Sequence, residues 1–271
     1  MAQAMATSWR ALPNVTLSAS APSLAPGADA NGVLLYSDNL AHVGACDVLV
    51  LAVKPPQAPM VLQQIGAHLK PGSVLVSIVA GLPLSTLDRY RLPEQACIRC
   101  MPNLPMAYGV GATPLLANAR VSAEQKRFVQ QLFAHVGCVA WVEDDAQMDC
   151  YTALSGSGPA YVLYFLESML QAGHDLGLPE ASVRAFVLQT MRGGLALLEH
   201  SAQSPETLRQ QITSPGGTTE AAMAVLQTQA FKSIVCDAVK AAYQRARVLS
   251  GLDVGNENCI LSQSPGFESE P

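Results

Sequence analysis

The sequence predicts a doubly wound α/β domain over residues 1–146, followed by an all-α domain over residues 147–251. In the first part, short apolar runs alternate with amphipathic stretches, the pattern of a mostly parallel sheet covered by helices on both faces. From about Gln147 the strand signal stops. Long stretches of helical period follow, parted by breaks that contain Gly or Pro.

Ala2–Leu12 reads as the opening helix, and Val15–Ser20 and Val33–Tyr36 as strands. Val48–Val53 is apolar at every position, as expected of a parallel strand covered on both faces. Ser73–Val79, Cys97–Met101, Thr113–Ala117 and Cys138–Val142 complete the strands, with helices at Met60–His68 and Ala123–His135 between them. In the second part Ala160–Leu176, Glu180–Ser201, Thr218–Gln227 and Phe231–Ser250 carry helical patterns. Ala160–Leu170 is apolar around most of its circumference, so it should be buried on several sides, against a second subunit or at the centre of a monomeric bundle. Residues 252–271 are polar and rich in Ser, Asn, Gly and Pro, and a disordered tail is expected there.

With 49% hydrophobic and only 14% charged residues in 271, the chain can bury a large core. Its net charge of −5 argues against nucleic-acid binding. No run approaches the roughly 18 apolar residues of a membrane span. Gln3, Thr7, Ser8 and Arg10 interrupt any signal-peptide pattern, so a cytoplasmic protein is expected. Cys97 and Cys100 form a Cys-x-x-Cys without a second ligand pair, and the histidines lie far apart; no metal site is expected, and the thiols should be reduced and mostly buried.

Two small-residue turns open helical patterns: Leu154-Ser155-Gly156-Ser157-Gly158-Pro159-Ala160-Tyr161 and Ser214-Pro215-Gly216-Gly217-Thr218-Thr219. A helix N-terminus presents unpaired N–H groups and partial positive charge, which suit carboxylates and phosphates. Taken with Met1-Ala2-Gln3-Ala4-Met5, Ala52-Val53-Lys54-Pro55, Ala80-Gly81, Arg99-Cys100-Met101-Pro102-Asn103 and Gly111-Ala112-Thr113, these turns make the chain resemble pyrroline-5-carboxylate reductase from Met1 to about Gly251. The resemblance implies a Rossmann-type NADP-binding domain, an all-α dimerisation domain, a homodimer or larger homo-oligomer, and a role in proline biosynthesis. The family begins with a strand and a glycine-rich loop ending in Gly-Asn-Met, whereas this chain starts at that methionine. Its first strand is therefore expected to be missing, leaving neighbouring strand edges exposed. A start at an internal methionine, with an upstream segment in the full protein, is the favoured explanation; a repurposed relative is the other.

An NAD-preferring site places an acid after the second strand. Here Leu17-Ser18-Ala19-Ser20-Ala21-Pro22-Ser23 offers hydroxyls and no acid, which favours NADPH, with NADH as the alternative. Only Arg10 and Lys54 are basic before Lys70, so backbone N–H groups and hydroxyls must hold most of the phosphate charge. The resemblance assigns the cofactor to Ser18, Ser20, Asn39, Ala52, Val53, Lys54, Pro55, Ala80, Gly81 and Asn103. It places the carboxylate of 1-pyrroline-5-carboxylate on Ser214, Gly216, Gly217 and Thr218, with Ser157 beside the ring and Thr219 bonding the ring nitrogen. Capping of the following helix would equally account for the Ser/Thr-rich turn. Glu143, Asp144 and Asp145 read as a solvated loop that could instead pair with Lys54. The competing functions are a related imine or 3-hydroxyacid reductase, disfavoured because no lysine occurs between Lys126 and Lys232, and a non-catalytic dimeric remnant.

Overall fold

The apolar runs form strands and the amphipathic stretches form helices in the computed structural model, which describes residues 1–30, 32–90 and 94–251. The tail expected to be disordered lies outside the described residues. By its internal contacts the chain divides into Met1–Ser157 together with the residues from Ala241 onward, and Gly158–Lys240.

In the first unit α1 (Ala2–Trp9) leads through β1 (Ser18–Ser20), β2 (Gly27–Ala28), β3 (Leu34–Tyr36) and α2 (Leu40–Val43) to β4 (Val48–Leu51). Then come α3 (Ala58–Ile65), β5 (Val74–Ser77), α4 (Leu84–Tyr90), β6 (Ala96–Cys100), β7 (Gly111–Ala117), α5 (Ala123–Ala134), β8 (Gly137–Trp141) and α6 (Asp145–Tyr151). A π-helical turn, Thr152–Gly156, follows. In this unit α6 packs on β7, with Met148 buried against Leu116 and Val142.

Five strands pair in the order β4-β5-β6-β7-β8, all parallel except β6 with β7. Side chains alternate across this sheet. Val74, Val76, Ile98 and Cys100 face a cluster closed by Met5 and Trp9 of α1 and Val129, Leu132 and Phe133 of α5. Leu75 and Cys97 face another, closed by Ala58, Leu62 and Ile65 of α3 and Leu87 of α4. Each fully buried Leu, Ile or Phe contributes about 1.5–3 kcal/mol. Trp9 adds direction: its Nε1 donates to the Leu132 carbonyl at 2.7 Å, and its ring meets Phe133 edge-on at 5.3 Å.

The remaining strands form a separate sheet, β1-β3-β2. Among the described residues β1 and β4 each pair on one side only, so each sheet ends there in an unpaired strand edge. Val48 and Val50 pack on the cluster closed by α1 and α5, and Leu49, Leu51 and Val53 on the one closed by α3 and α4, so this run is covered on both faces as expected. Leu51 is buried, but Val48, Leu49 and Val50 are only half-buried, because β4 is an edge strand.

The acids after β8 are corrected in part: Glu143 and Asp144 are exposed, as expected of a solvated loop, whereas Asp145 is half-buried and finds its partner in Arg99 rather than Lys54. Asp144 caps α6 by accepting the Gln147 N–H at 2.7 Å, and Asp145 pairs with the buried Arg99. Arg99 also meets the fully buried Asp149 at 3.2 Å.

The second unit contains α7 (Gly158–Asp175), α8 (Glu180–Glu199), α9 (Pro205–Gln211), α10 (Thr218–Thr228) and the start of α11 (Phe231–Leu249). Gly173 lets α7 and α8 approach closely, since a Cβ there would lie 2.6 Å from Val183 Cγ1. Despite its apolar circumference, α7 has no buried residue within one copy of the chain, and Tyr164 of α7 and Phe186 of α8 are 73% and 76% exposed. Such a surface needs a partner to cover it.

The pairing of β7 with β8 depends on two glycines facing each other, Gly111 and Gly137. Gly137 has φ +148°, and a Cβ on it would fall 2.0 Å from the Gly111 carbonyl oxygen. Gly137→Ala is expected to lower stability by about 2–3 kcal/mol. Thermal unfolding followed by circular dichroism checks this, and an unchanged midpoint would contradict the packing described.

Candidate active site

Because β4, β5 and β6 are parallel neighbours, their carboxyl ends share one edge of the sheet, where open α/β folds bind ligands. The sequence-predicted segments leave from this edge. Ala52-Val53-Lys54-Pro55 follows β4, with Ala52, Lys54 and Pro55 exposed and Val53 half-buried. Pro55 turns the chain into a short 3₁₀ helix. Ala80-Gly81 follows β5, and Gly81 has φ +68°, a backbone state that favours glycine. Met101-Pro102-Asn103 follows β6, with Pro102 and Asn103 buried.

Ser20 and Asn39 come together: the Ser20 hydroxyl lies 3.2 Å from Asn39 Oδ1, while Asn39 Nδ2 donates to Gln64 Oε1 at 3.1 Å. Gln64 has no signal in the sequence because it approaches from α3. Ser18 is turned elsewhere. Burial raises the Cys46 thiol above its ordinary value, opposed by a hydrogen bond from Ser18.

Asn103 uses its side chain on the protein itself. Its Oδ1 accepts the Ala112 N–H at 2.9 Å and its Nδ2 donates to the Ser155 carbonyl at 2.9 Å. It thereby ties the start of β7 to the π-helical turn. That turn replaces the tight helix entry read from the glycines, and the Ser157 N–H reaches back five residues to Thr152 O at 3.0 Å. π turns are rare and frequent at functional sites. The hydroxyls of Thr152 and Ser155 bond to carbonyls one turn back, Met148 and Tyr151, and Gly156 leaves room for Met101, whose Cε would lie 3.4 Å from a Cβ.

In the second unit Ser214-Pro215-Gly216-Gly217 closes a tight turn, Gly217 N–H donating to Ser214 O at 3.0 Å and Gly216 taking φ +70°. Proline followed by a glycine of positive φ is the sequence signature of a type II turn. Gly217 caps α10 without a side-chain bond. The Gly216 N–H donates to the Glu220 carboxylate at 2.7 Å, so the two glycine N–H groups assigned to a ligand are already used. The first backbone bond of α10 runs from Ala221 to Gly217, which leaves the N–H groups of Thr218, Thr219 and Glu220 open at the positive end of the helix. Thr218 is exposed and Thr219 half-buried.

Cys97 and Cys100 project into clusters on opposite faces of the sheet, so they are not a redox pair. Burial holds the Cys100 thiol well above its ordinary value. Contrary to the expectation of mostly buried thiols, Cys138, Cys150 and Cys236 are exposed, and Cys259 lies outside the described residues.

The family model described as pyrroline-5-carboxylate reductase dimerisation matches residues 145–249, and that described as NADP oxidoreductase coenzyme F420-dependent matches residues 1–81. A pyrroline-5-carboxylate reductase of Pseudomonas aeruginosa is 40% identical over 216 residues, covering 80% of this chain and 79% of the relative. Human pyrroline-5-carboxylate reductase 2 is 35% identical over 224 residues, covering 82% and 70%. The crystal structure of the Plasmodium falciparum pyrroline carboxylate reductase with NADP bound superposes with TM-score 0.83 at 31% identity, covering 92% of each chain. The enzyme from Coxiella burnetii gives TM-score 0.83 at 32% identity, covering 92% of this chain and 94% of the other. With the α/β sheet, the helical dimerisation domain and the Ser214–Thr219 turn in place, this chain belongs to the pyrroline-5-carboxylate reductase family.

Proposed function

We propose that this chain reduces 1-pyrroline-5-carboxylate to L-proline with NADPH, the last step of proline synthesis. The observation that carries this is the turn before α10 in a chain of this family. The turn already binds a carboxylate, that of Glu220, and leaves three further N–H groups open. Residues 1–146 hold the cofactor, and residues 147–251 hold the substrate and a second copy of the chain. A net charge of −5 and the absence, among the described residues, of a helix long and apolar enough to cross a membrane support a cytoplasmic enzyme that binds neither nucleic acid nor membrane.

The residues present fit the cofactor. Exposed Ser20, the Asn39–Gln64 amide pair and the Lys54 ammonium offer donors beyond β1 and β4, and Ser18–Ser23 contains no acid to repel a 2′-phosphate. Ala52, Val53, Pro55, Ala80 and Gly81 form the small-residue wall of the groove, and Asn103 fixes its floor. When bound, NADPH supplies the hydride that reaches the imine carbon.

The chain's own work is placement. Thr218, Thr219 and Glu220 donate N–H groups to the substrate carboxylate, assisted by Ser214, while Gly216 and Gly217 shape the turn that aims them. Ser157 borders the ring. The Thr219 hydroxyl bonds the ring nitrogen and fixes the imine carbon toward the hydride donor. The imine is partly protonated near neutral pH, so orientation matters more than a strong protein acid.

One observation favours a second reading, a dimeric relative that does not bind the cofactor: among the described residues the strands form two separate sheets, with β1 and β4 each paired on one side only. Fluorescence titration with NADPH separates the two readings. Saturable binding with substrate-dependent NADPH oxidation supports the reductase. No binding by this chain, with binding restored on adding a family strand and glycine loop at its N-terminus, supports the second.

Thr219→Ala is expected to lower kcat by roughly 5- to 150-fold, the worth of about 1–3 kcal/mol for a lost buried hydrogen bond, without shifting the unfolding midpoint. An unchanged rate removes Thr219 from the reaction. Gly216→Ala forces a side chain into left-handed backbone at a cost of about 1–2 kcal/mol. It is expected to raise KM for the pyrroline while leaving NADPH affinity unchanged; a normal KM would contradict the carboxylate site.

A further inference from the structure

Arg99 is the largest fully buried side chain among the described residues, 2% exposed, in a strand otherwise made of Ala, Cys and Ile. Its Nη1 pairs with Asp145. Its Nη2 lies 3.2 Å from Asp149 Oδ1 and 3.4 Å from the Ser250 hydroxyl, which itself donates to Asp149 Oδ1 at 2.9 Å. Both oxygens of Asp145 in turn accept the Leu84 N–H, at 3.3 and 3.2 Å. Asp149 Oδ2 is buried without a hydrogen-bond partner. One guanidinium therefore faces two carboxylates and joins β6, the entry to α4, α6 and the residue just after α11.

Each of these four segments adjoins a loop of the candidate site. Leu84 closes the loop begun by Ala80-Gly81. Arg99 immediately precedes the Cys100-Met101-Pro102-Asn103 exit from β6. Asp149 lies on α6, which runs directly into the π-helical turn. Leu249, next to Ser250, sits over Gly81, where a Cβ would come within 2.9 Å of the Leu249 carbonyl oxygen and 3.0 Å of its Cβ. Asn103 then links the second loop to the third through Ser155.

We propose that Arg99 is a positioning residue for the reaction: with Asp145, Asp149 and Ser250 it holds the Ala80–Gly81 loop, the Met101–Asn103 loop and the π turn in one fixed mutual geometry. An apolar cluster could fill the same space, but its parts can slide. The planar guanidinium fork fixes direction as well as distance for each carboxylate. Transfer between bound reactants depends steeply on such geometry, whereas binding does not. The catalytic half of this proposal rests on the reductase function; the loop-ordering half stands on the cluster alone.

Ser250→Ala and Asp145→Asn each remove one outer member and leave Arg99 paired with Asp149. Hydrogen–deuterium exchange read by mass spectrometry is expected to show about tenfold faster exchange at residues 80–84 and 152–158 in both variants, and Ser250→Ala, which removes no charge, is expected to keep the unfolding midpoint within a few degrees of the parent. Steady-state rates are expected to show kcat reduced about tenfold with both KM values within about twofold. Unchanged exchange in both segments would overturn the proposal, as would raised KM values with unchanged kcat. If the parent chain itself shows no turnover, the exchange data alone decide the matter, and the missing turnover counts against the reductase function instead.

Discussion

The buried charge of Arg99 is the constraint from which most of the first unit follows. A guanidinium removed from water must keep its partners, and losing one partner of a buried pair costs about 3–5 kcal/mol. Asp145 and Asp149 must therefore face inward one turn apart on α6, which fixes how that helix lies on β7 and where the π turn begins. The same requirement draws Ser250 to the cluster and seats Leu249 on Gly81, so that a side chain at residue 81 would collide with the backbone. The apolar clusters on either face of the sheet supply most of the stabilisation, but they are indifferent to small slips. The ion cluster supplies register.

The turn before α10 solves a different problem with the same physics. A proline, a glycine of positive φ and a second glycine spend their bonds on closing the turn, which leaves the first N–H groups of the helix pointing outward with the helix dipole behind them. Glu220 lies at this helix start, its carboxylate held at 2.7 Å by the Gly216 N–H. In the helical unit, α7 and α8 leave apolar residues uncovered within one copy of the chain, in keeping with the dimerisation domain that this family carries.

Most strands were legible because apolar runs bounded by turn residues survive almost any tertiary context, and they differ from expectation only at their ends; β2, two exposed small residues, carries no apolar run and was missed. Short helices were not legible. α4, α6 and α9 have seven residues each, too few turns for a period to show, and Ser204-Pro205, which caps and opens α9, reads in the sequence only as a break between helices. Of the acids Glu143, Asp144 and Asp145, the last was misread because a charge run signals solvent unless its partner is known, and Arg99 lies far away in sequence. Arg99 itself, a lone charge inside an apolar strand, was the available signal. The glycine turns pointed correctly to two special helix starts, but which N–H groups remain open depends on Glu220 and on the turn's own bond, neither of which has a sequence pattern. The resemblance assigned Asn103 to the cofactor, and its bonds to Ala112 and Ser155, which tie two loops of the protein together, have no sequence pattern.

The function is tested most directly by following the hydride. Incubation of the purified chain with 1-pyrroline-5-carboxylate and NADPH deuterated at the transferable position of the nicotinamide, with mass spectrometry and NMR of the product, reports both the reaction and its site. The account predicts L-proline carrying one deuterium on C5, the former imine carbon. Saturable NADPH binding without labelled proline would contradict it.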